Sequence, residues 1–276
     1  MSQTVRKGEE LNEVSLKSFL LENQLISSFN NELLVEQYSN GFSNLTYLLK
    51  IDNKELVLRR PPKGAIKYGH DMGREYKVLT GLNKGFKKAP TAHVFSNDNS
   101  IIGAPFYIME KIEGIILSRK EASSRNISSE EYSKIAQNWL NTFVELHELD
   151  FNTIGLSDLG KPQGYVERQV RNWSKQYLNA ATEEIPESEK IMKWLEKNQP
   201  KKYTYSLIHN DYKYDNIVFK DNSWNNIKAI LDWEMCTLGD PLMDLGTSLA
   251  YWTMSTDHKM IIKGMNYPTA ELGNPG

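Results

Sequence analysis

The chain has 276 residues, of which 39% are hydrophobic and 25% charged, and its formal net charge is −2. This is the composition of a soluble globular protein, long enough to bury a substantial core in one large domain or two lobes. The charge balance gives no reason to expect nucleic-acid or membrane-surface binding. The single cysteine excludes a disulfide framework and a thiol metal cluster. Since no signal-like or membrane-length apolar run is found, we expect a cytoplasmic protein.

The first part of the chain predicts a small antiparallel sheet. A helix is expected over 15–25, and three short β-rich runs separated by turn-rich segments follow at 33–39, 45–51 and 56–60. A second helix is expected over 69–84. Two more strands, in PTAHVFSN and APFYIMEKIEG, complete a five-stranded domain that ends near Gly114.

The rest of the chain is mainly helical in pattern. Ser128 and Glu131 have the spacing of a capping box. They begin a helix whose apolar stripe comprises Ile135, Trp139, Leu140, Phe143 and Leu146. Two further helices are expected in GYVERQVRNWSKQYLNAA and ESEKIMKWLEKN. Short strands in YSLIHNDYKYDNIVF and NNIKAILDWEM flank a loop before a last helix with Pro241 in its first turn. We therefore predict an α+β protein.

The segment HNDYKYDNIVF, residues 209–219, has the residue types of a phosphoryl-transfer site. Such a site needs a carboxylate to orient and deprotonate a hydroxyl, oxygen ligands for Mg²⁺ and cations for the phosphates. Asp211 can supply the first, Asn216 and the downstream Asp232 the second, and Lys213 can lean towards the transferred phosphate. The alternative is a polar turn without chemistry, because Asn and Asp favour turns. The strand-borne LDWE further along the chain favours the site.

Two features of the first part could bind nucleotide phosphates. Arg59 on the third strand and Glu75 on the following helix have the arrangement of a phosphate-holding cation and its carboxylate partner. The alternative is an unrelated surface pair. The turn-rich segment 38–49 could offer backbone N–H groups near Gly41, Phe42 and Ser43 to phosphates. Taken alone, that segment favours a plain hairpin turn without a ligand, and neither a P-loop nor a dinucleotide motif is found.

Several other polar and aromatic residues predict structural roles. Asp240 is expected to cap the last helix, and Asp244 to be a buried acid that braces the catalytic segment. His147, near a helix end, is expected to be a satisfied histidine and not a metal ligand. Core positions are expected for Trp139, Trp173 and Trp194.

The combined motifs resemble those of a known family. LIHNDYKYDNIVF with AILDWEMCTLGDPLMDLG resembles the aminoglycoside phosphotransferase and choline kinase family, which has the protein-kinase-like two-lobed fold. GFSNLTYLL, LVLRRPPKG, GREYKVL, FYIMEKIEG and GYVERQVRNW are similar to the branch related to the phosphotransferase domain fused to animal acyl-CoA dehydrogenases. The matches begin near residue 37 and follow the family order. The resemblance implies a nucleotide-binding lobe over 1–113 and a helical lobe over 114–276.

The resemblance also implies the site. It implies ATP and Mg²⁺ as cofactors, with Asp211 as catalytic base, Lys213 beside it, and Asn216 and Asp232 as metal ligands. Adenine would lie against the YIMEKI segment. The implied cofactor-binding residues are Gly41, Phe42, Ser43, Asn44, Arg59, Glu75, Glu110 and Ile112. Acceptors in the family include hydroxy-acyl compounds, aminoglycosides, choline and sugars.

Three departures from the family pattern are visible. Position 210 is Asn where the family usually has Gly, and position 213 is Lys where this branch more often has Arg. The family's chain usually continues for several helices beyond MNYPTAELGNPG, and those helices commonly complete the acceptor pocket. We therefore expect an incomplete helical lobe.

The expected activity is transfer of the ATP γ-phosphoryl group to a hydroxyl of a small molecule, either a hydroxy-acyl or an aminoglycoside-like acceptor. The main alternative is a catalytically impaired nucleotide-binding protein of the same fold. A protein kinase is disfavoured because no APE-like segment or long activation loop lies between Asp232 and Asp240. An acidic run at 183–189 could attract a cationic acceptor. Alternatively, an acyl pocket could be lined by Arg168, Trp173 and Tyr177.

Overall fold

The computed structural model describes residues 2–39, 43–64, 70–265 and 267–275. Its first elements are β1 (Ser2–Gln3), α1 (Glu13–Glu22), β2 (Leu34–Tyr38), β3 (Leu45–Ile51), β4 (Lys54–Arg60), α2 (Met72–Leu82), β5 (Ala92–Ser96), α3 (Asn99–Ile102) and β6 (Phe106–Glu110). The strands form one antiparallel sheet in the order β1-β2-β3-β4-β6-β5.

The later elements are β7 (Ile115–Ile116), α4 (Arg119–Arg125), α5 (Ser129–His147), α6 (Tyr165–Ala180), α7 (Pro186–Lys197), β8 (Ser206–Ile208), β9 (Ile217–Phe219), β10 (Ile227–Ile230), β11 (Thr237–Gly239), α8 (Pro241–Ala250) and α9 (Lys259–Met265). Short 3₁₀ turns occupy 214–216, 233–235 and 268–270. Among the described residues, no helix is both long and apolar enough to cross a membrane.

All five predicted strands are present, but the sheet has a sixth. Strand β1 pairs at the edge with β2, where Ser2 lies opposite Tyr38. A two-residue strand carries no alternation that a sequence pattern could reveal. Helix α2 begins at Met72 and not at 69, because Asp71 is extended and its carboxylate accepts the N–H of Arg74 as an N-cap.

The two faces of β4 settle the direction of its arginines. Leu56 and Leu58 pack into a core with Leu16 and Leu20 of α1. Since side chains alternate along a strand, Val57 and Arg59 face the other way, towards α2. Arg59 is accordingly buried against Glu75 of α2. The prediction that Arg59 points inward is confirmed.

A second core joins α2 to the helical part of the chain through α5. The capping box of Ser128 and Glu131 is present. Most of the predicted stripe is buried, but Leu140 is 45% exposed. Leu140 follows Trp139 by about 100° around the helix, so it lies beyond the edge of the buried face.

The tryptophan prediction was wrong for two of three residues. Trp139 is buried, whereas Trp173 on α6 and Trp194 on α7 are 59% and 62% exposed. No residue of α7 is buried, and α6 buries only its first two, Tyr165 and Val166. Both helices are amphipathic in sequence, but periodicity does not tell how fully a helix face is covered.

The strands after α7 bring two polar loops together. Strand β9 pairs with β10 and β7, while β8 pairs with β11. The hairpin is closed by a hydrogen bond from the Leu231 N–H to the Asn216 carbonyl oxygen, 2.8 Å apart. As a result, the segment 209–216 (the catalytic loop) lies beside 231–236 (the metal loop). A lobe division at residue 113 stays a proposal; β6 ends at Glu110 and β7 begins at Ile115.

Candidate active site

One buried carboxylate, that of Asp244 in the first turn of α8, fixes the backbone of the catalytic loop. Asp244 accepts the backbone N–H of His209 and of Asn210, each at 2.7 Å. It also contacts His147 Nε2 at 2.9 Å. Asp240 caps the same helix by accepting the Leu242 N–H. These contacts confirm three predictions: Asp244 supports the catalytic loop, Asp240 caps α8, and His147 has a hydrogen-bond partner.

His209 shapes the loop from within. Its Nδ1 accepts the backbone N–H of Asp211 at 3.2 Å, so the opposite nitrogen carries the proton and donates to the Leu231 carbonyl at 3.0 Å. Burial lowers the pKa of this imidazole and keeps it neutral. His209 therefore links Asp211 to the metal loop. The sequence analysis gave this residue no role, although it lies two places before the proposed base.

Asp211 is held by two side chains of its own loop. Its Oδ2 accepts from Asn216 Nδ2 and from Lys213 Nζ, each at 2.9 Å. Asn216 Nδ2 also donates to the Asp211 carbonyl at 2.9 Å. Because these oxygens only accept, the amide nitrogen of Asn216 must face Asp211. Its Oδ1 is the atom left to face a cation.

Asp232 follows β10 in the left-handed conformation, with φ of 63°. Its Oδ1 accepts from both terminal nitrogens of Arg59, at 3.0 Å each. The hairpin contact between Leu231 and Asn216 brings the two proposed metal ligands onto adjacent segments. The structure thus assembles Asp211, Asn216, Asp232 and Arg59 at one place.

Arg59 faces three carboxylates, not one. Besides Asp232, it contacts Glu75 at 2.7 Å and Glu234 at 3.1 Å. If all three carboxylates were ionised, the single guanidinium would leave an excess of two negative charges, and protonation of Glu75 would reduce this excess to one. Burial, opposed by Arg59, raises the pKa of Glu75 to about 7, and burial with the nearby Asp232 charge raises the pKa of Glu234. The cluster is suited to a further cation.

Four residues of the segment 38–49 are predicted to bind phosphates, and two of them, Ser43 and Asn44, are among the described residues. Gly41 and Phe42 lie outside them. Asn44 is buried, donates to Glu234 Oε2 at 2.7 Å and accepts from His70 at 2.9 Å, while the Ser43 hydroxyl also hydrogen-bonds to Glu234. The sequence analysis missed Glu234, whose position two residues after Asp232 was the available signal.

Glu110 and Ile112 are at the end of β6 and just beyond it. The Glu110 N–H already donates to the Thr91 carbonyl at 2.9 Å. If this edge receives a base, Glu110 can therefore offer its carbonyl oxygen but not its N–H. The role of these two residues remains a prediction.

A cavity of about 930 Å³ opens beside the cluster. It is bounded by α2, α6, α8 and both loops. Its lining includes Trp173, Met235 and Met243, and also Glu75 and Glu234. Of the three residues proposed to line an acyl pocket, Trp173 lies in the cavity lining, whereas Arg168 and Tyr177 are not among the lining residues.

Asn210 forms part of this wall next to Asp211. Its φ of 63° lies in the left-handed region, which glycine favours and asparagine tolerates. Its Nδ2 donates to the Met235 carbonyl at 3.0 Å, and its Oδ1 accepts from the Tyr165 hydroxyl at 3.3 Å. The side chain thus ties the catalytic loop to the metal loop and to α6. The departure from glycine is accommodated and acquires contacts of its own.

A model of the phosphotransferase enzyme family matches residues 34–266. The chain belongs to this family. Mouse acyl-CoA dehydrogenase family member 11 is 35% identical over 261 residues, which cover 92% of this chain and 33% of that protein. Mouse acyl-CoA dehydrogenase family member 10 is 35% identical over 222 residues, covering 80% of this chain and 20% of that protein. The chain therefore spans a third or less of each of those two relatives, and the predicted branch is confirmed.

Solved structures agree on the fold. A Ralstonia eutropha protein assigned as an aminoglycoside phosphotransferase superposes with a TM-score of 0.79 at 31% identity, covering 97% of this chain and 77% of that one. The streptomycin-ATP-APH(2")-IIa ternary complex superposes with a TM-score of 0.59 at 20% identity, covering 96% and 85%. The chain has the two-lobed protein-kinase-like fold that was predicted.

Proposed function

We propose that this protein moves the γ-phosphoryl group of ATP to a hydroxyl of a small molecule. The observation that carries the proposal is the meeting of Asp211, held by Asn216 and Lys213, with Asp232, held by Arg59. This arrangement offers a carboxylate for the attacking hydroxyl, oxygen ligands for a metal and two cations for phosphates. Those are the requirements of phosphoryl transfer.

Asp211 is the proposed base. One of its carboxylate oxygens is occupied by Asn216 and Lys213, which fixes its direction without burying it fully. It would orient the acceptor hydroxyl and take its proton as the oxygen attacks the phosphorus. Lys213, next to Asp211, would approach the transferred phosphoryl group. Arg59, positioned by Glu75, would hold the other phosphates.

The residues present fit Mg²⁺. Asn216 Oδ1 and the Asp232 carboxylate are oxygen donors of the kind that Mg²⁺ prefers. The excess negative charge around Arg59 also favours a divalent cation. When bound, the ion would neutralise charge that develops on the phosphoryl oxygens. Without the ion, Arg59 hydrogen-bonds to Asp232 and partly compensates its charge.

ATP is the proposed phosphoryl donor. Asn44 and Ser43, with Gly41 and Phe42 before them, would cover its phosphates, and Glu110 and Ile112 would face its base through backbone groups. The support is the position of Asn44 beside Glu234 and Arg59, together with an ATP-containing complex among the structural neighbours. Glu110 would contribute only its carbonyl oxygen, because its N–H donates to the Thr91 carbonyl.

The cavity is the proposed acceptor site, and its chemistry favours a hydroxy-acyl compound over an aminoglycoside. A polycationic acceptor needs carboxylates that are free to bind it. Here Glu75 and Glu234 contact Arg59, the excess negative charge of that cluster is assigned above to the proposed Mg²⁺, and Asp71 caps α2. The acidic run at 183–189 is absent from the lining residues and largely exposed. Trp173 and the methionines supply apolar area for an acyl chain.

A phosphorylation screen tests the proposal. Hydroxy acids, their CoA thioesters, aminoglycosides and choline are offered with Mg²⁺ and γ-labelled ATP, and label transfer is measured. We expect transfer to at least one hydroxy-acyl compound. Asp211→Ala should abolish this turnover while Mg²⁺-ATP still raises the melting temperature. Undiminished ATP consumption by the variant with an acceptor present would remove Asp211 as the base.

One observation favours a second candidate, a nucleotide-binding protein without turnover. In the structure Lys213 is bonded directly to the proposed base, and Arg59 directly to the proposed metal ligand. If these pairs persisted with nucleotide bound, the site would be blocked. A rise in melting temperature with Mg²⁺-ATP, without label transfer to any acceptor, would support this candidate.

A further inference from the structure

Lys213 contacts a second residue, Tyr251, that was not predicted from the sequence. Its ammonium nitrogen lies 2.9 Å from Asp211 Oδ2 and also 4.8 Å from the ring centroid of Tyr251. Its side chain is only 20% exposed. Tyr251 is the C-cap residue of α8 and hydrogen-bonds to Asp211 through its hydroxyl. One tyrosine therefore contacts both members of the Lys213–Asp211 pair.

A second tyrosine holds the first in place. The Tyr267 ring packs edge-on against Tyr251, with centroids 5.8 Å apart at an angle of 76°. Tyr267 also hydrogen-bonds to Asp215 of the catalytic loop. Both residues belong to the segment that follows α8. That segment therefore covers the side of the catalytic loop that carries Lys213.

The physical properties of an aromatic partner differ from those of a carboxylate. A ring face attracts an ammonium group through its quadrupole but carries no net charge. It can therefore limit the positions of a long, flexible lysine side chain and leave the positive charge uncompensated. A lysine held only by Asp211 would have to lose its single anchor in order to reach a phosphoryl group. With the ring as a second anchor, it can exchange one oxygen partner for another.

We propose that Tyr251 is a positioning residue for Lys213, keeping its ammonium group next to the catalytic loop while it moves between Asp211 and the transferred phosphoryl group. The contact itself is independent of the activity proposed above. Its consequence for turnover rests on that proposed function. The two parts are tested by different measurements.

The contact is tested by NMR on protein labelled with [ε-¹³C]lysine. A lysine over an aromatic face has its Hε protons shifted upfield by the ring current, and Lys213→Arg identifies the signal by its disappearance. We expect an upfield Lys213 signal in the wild type, retained in Tyr251→Phe and moved to the position of the other lysines in Tyr251→Leu. A wild-type signal among the other lysines, or one that Tyr251→Leu leaves unmoved, would overturn the proposal.

The consequence is tested by kinetics with an acceptor from the screen. Tyr251→Leu should lower kcat about tenfold, the scale of a partly desolvated cation–aromatic contact, with a smaller change in KM for ATP. Tyr251→Phe should lose less, because it retains the ring and loses only the hydroxyl. Tyr205→Leu, at a partly exposed tyrosine before β8, controls for aromatic loss in general.

The outcomes separate the two hypotheses. If the wild type transfers no phosphate while the NMR signals behave as expected, the proposed function fails and the contact stands. If Tyr251→Leu and Tyr251→Phe lose the same activity, the hydroxyl and not the ring matters, and the positioning role is overturned. Equal falls in melting temperature and in kcat for Tyr251→Leu and Tyr205→Leu would likewise reduce Tyr251 to a packing residue.

Discussion

His209 connects two parts of the site through a single neutral ring. It accepts the N–H of Asp211 and donates to the carbonyl of Leu231, which precedes the proposed metal ligand. A protonated imidazole could not accept the first of these bonds. The geometry of the proposed base therefore depends on the protonation state of His209.

This dependence predicts a loss of stability in acid. The unfolded chain protonates His209 near its ordinary pKa of 6.5, whereas burial lowers the pKa in the folded protein. The stabilisation by neutral His209 is therefore fully present above about pH 6.5 and is lost as the pH falls through the folded pKa. His209→Asn, which keeps an acceptor near Nδ1 but cannot be protonated, should show a flatter fall in melting temperature between pH 7 and 4. An unchanged slope would contradict this, and exposed His258→Asn is the control.

At position 210 the backbone and the side chain make opposite demands. The left-handed φ suits glycine, whereas the two hydrogen bonds need the carboxamide. Asn210→Gly should destabilise the protein by about 1 kcal/mol through the lost bonds. Asn210→Ala should cost about 1–2 kcal/mol more, because alanine is also strained at this φ. Urea unfolding of both variants measures the difference, and an alanine variant as stable as the glycine variant would refute the strain argument.

At the scale of a helix, α5 offers a clean test of local encoding. Its capping box was predicted from Ser128 and Glu131 and is present with both hydrogen bonds. Ser128→Ala should lower the free energy of unfolding by about 0.5–2 kcal/mol in urea denaturation. Ser124→Ala, on the exposed side of α4 and without a capped N–H, should have little effect.

Helix α8 contributes to the site through its first turn. Asp244 is fully buried and accepts two backbone N–H groups of the catalytic loop. Asp244→Ala would leave buried donors without partners, so it should destabilise by more than about 2 kcal/mol and abolish turnover. Asp244→Asn keeps one accepting oxygen and should be intermediate in a urea titration. An alanine variant with wild-type stability would show that the brace is unnecessary.

Elements with a long pattern were predictable, and those without one were not. The five main strands, α2 and α5 follow from alternation, periodicity and capping residues. Strands β1, β7 and β11 have two or three residues each, and their pairing depends on neighbours distant in the sequence. The exposure of Trp173 and Trp194 depends on what covers α6 and α7, which their own residues do not specify.

For the whole molecule, the charge around Arg59 predicts a response to metal. Mg²⁺ should raise the melting temperature of the nucleotide-free protein, because it would offset the excess negative charge around Arg59. Glu234→Gln removes part of that charge and should reduce the shift. NaCl at equal ionic strength controls for screening, and Glu196→Gln on exposed α7 controls for loss of a carboxylate. Equal shifts with Mg²⁺ and NaCl would argue against a specific site.

The candidate site was only partly predictable, because some of its contacts join segments that are far apart in the sequence. Asp211, Asn216, Asp232 and Arg59 stand in short motifs, and the structure brings them together. The contributions of Glu234, His209 and Tyr251 depend on contacts between segments far apart in sequence, such as Asn44 with Glu234. Motif spacing identifies residues that act on substrates more readily than residues that position them.

Two sides of helix α8 contact different parts of the candidate site. Asp244 supports the catalytic loop, while Met243, Thr247 and Ala250 line the cavity on another side of the same helix. Selection can therefore change the three cavity residues without disturbing the residue that supports the base. If the cavity is the acceptor site, substitutions at these three positions should change acceptor preference and leave the contacts of Asp244 with the catalytic loop in place, and a mutant library restricted to them would test this.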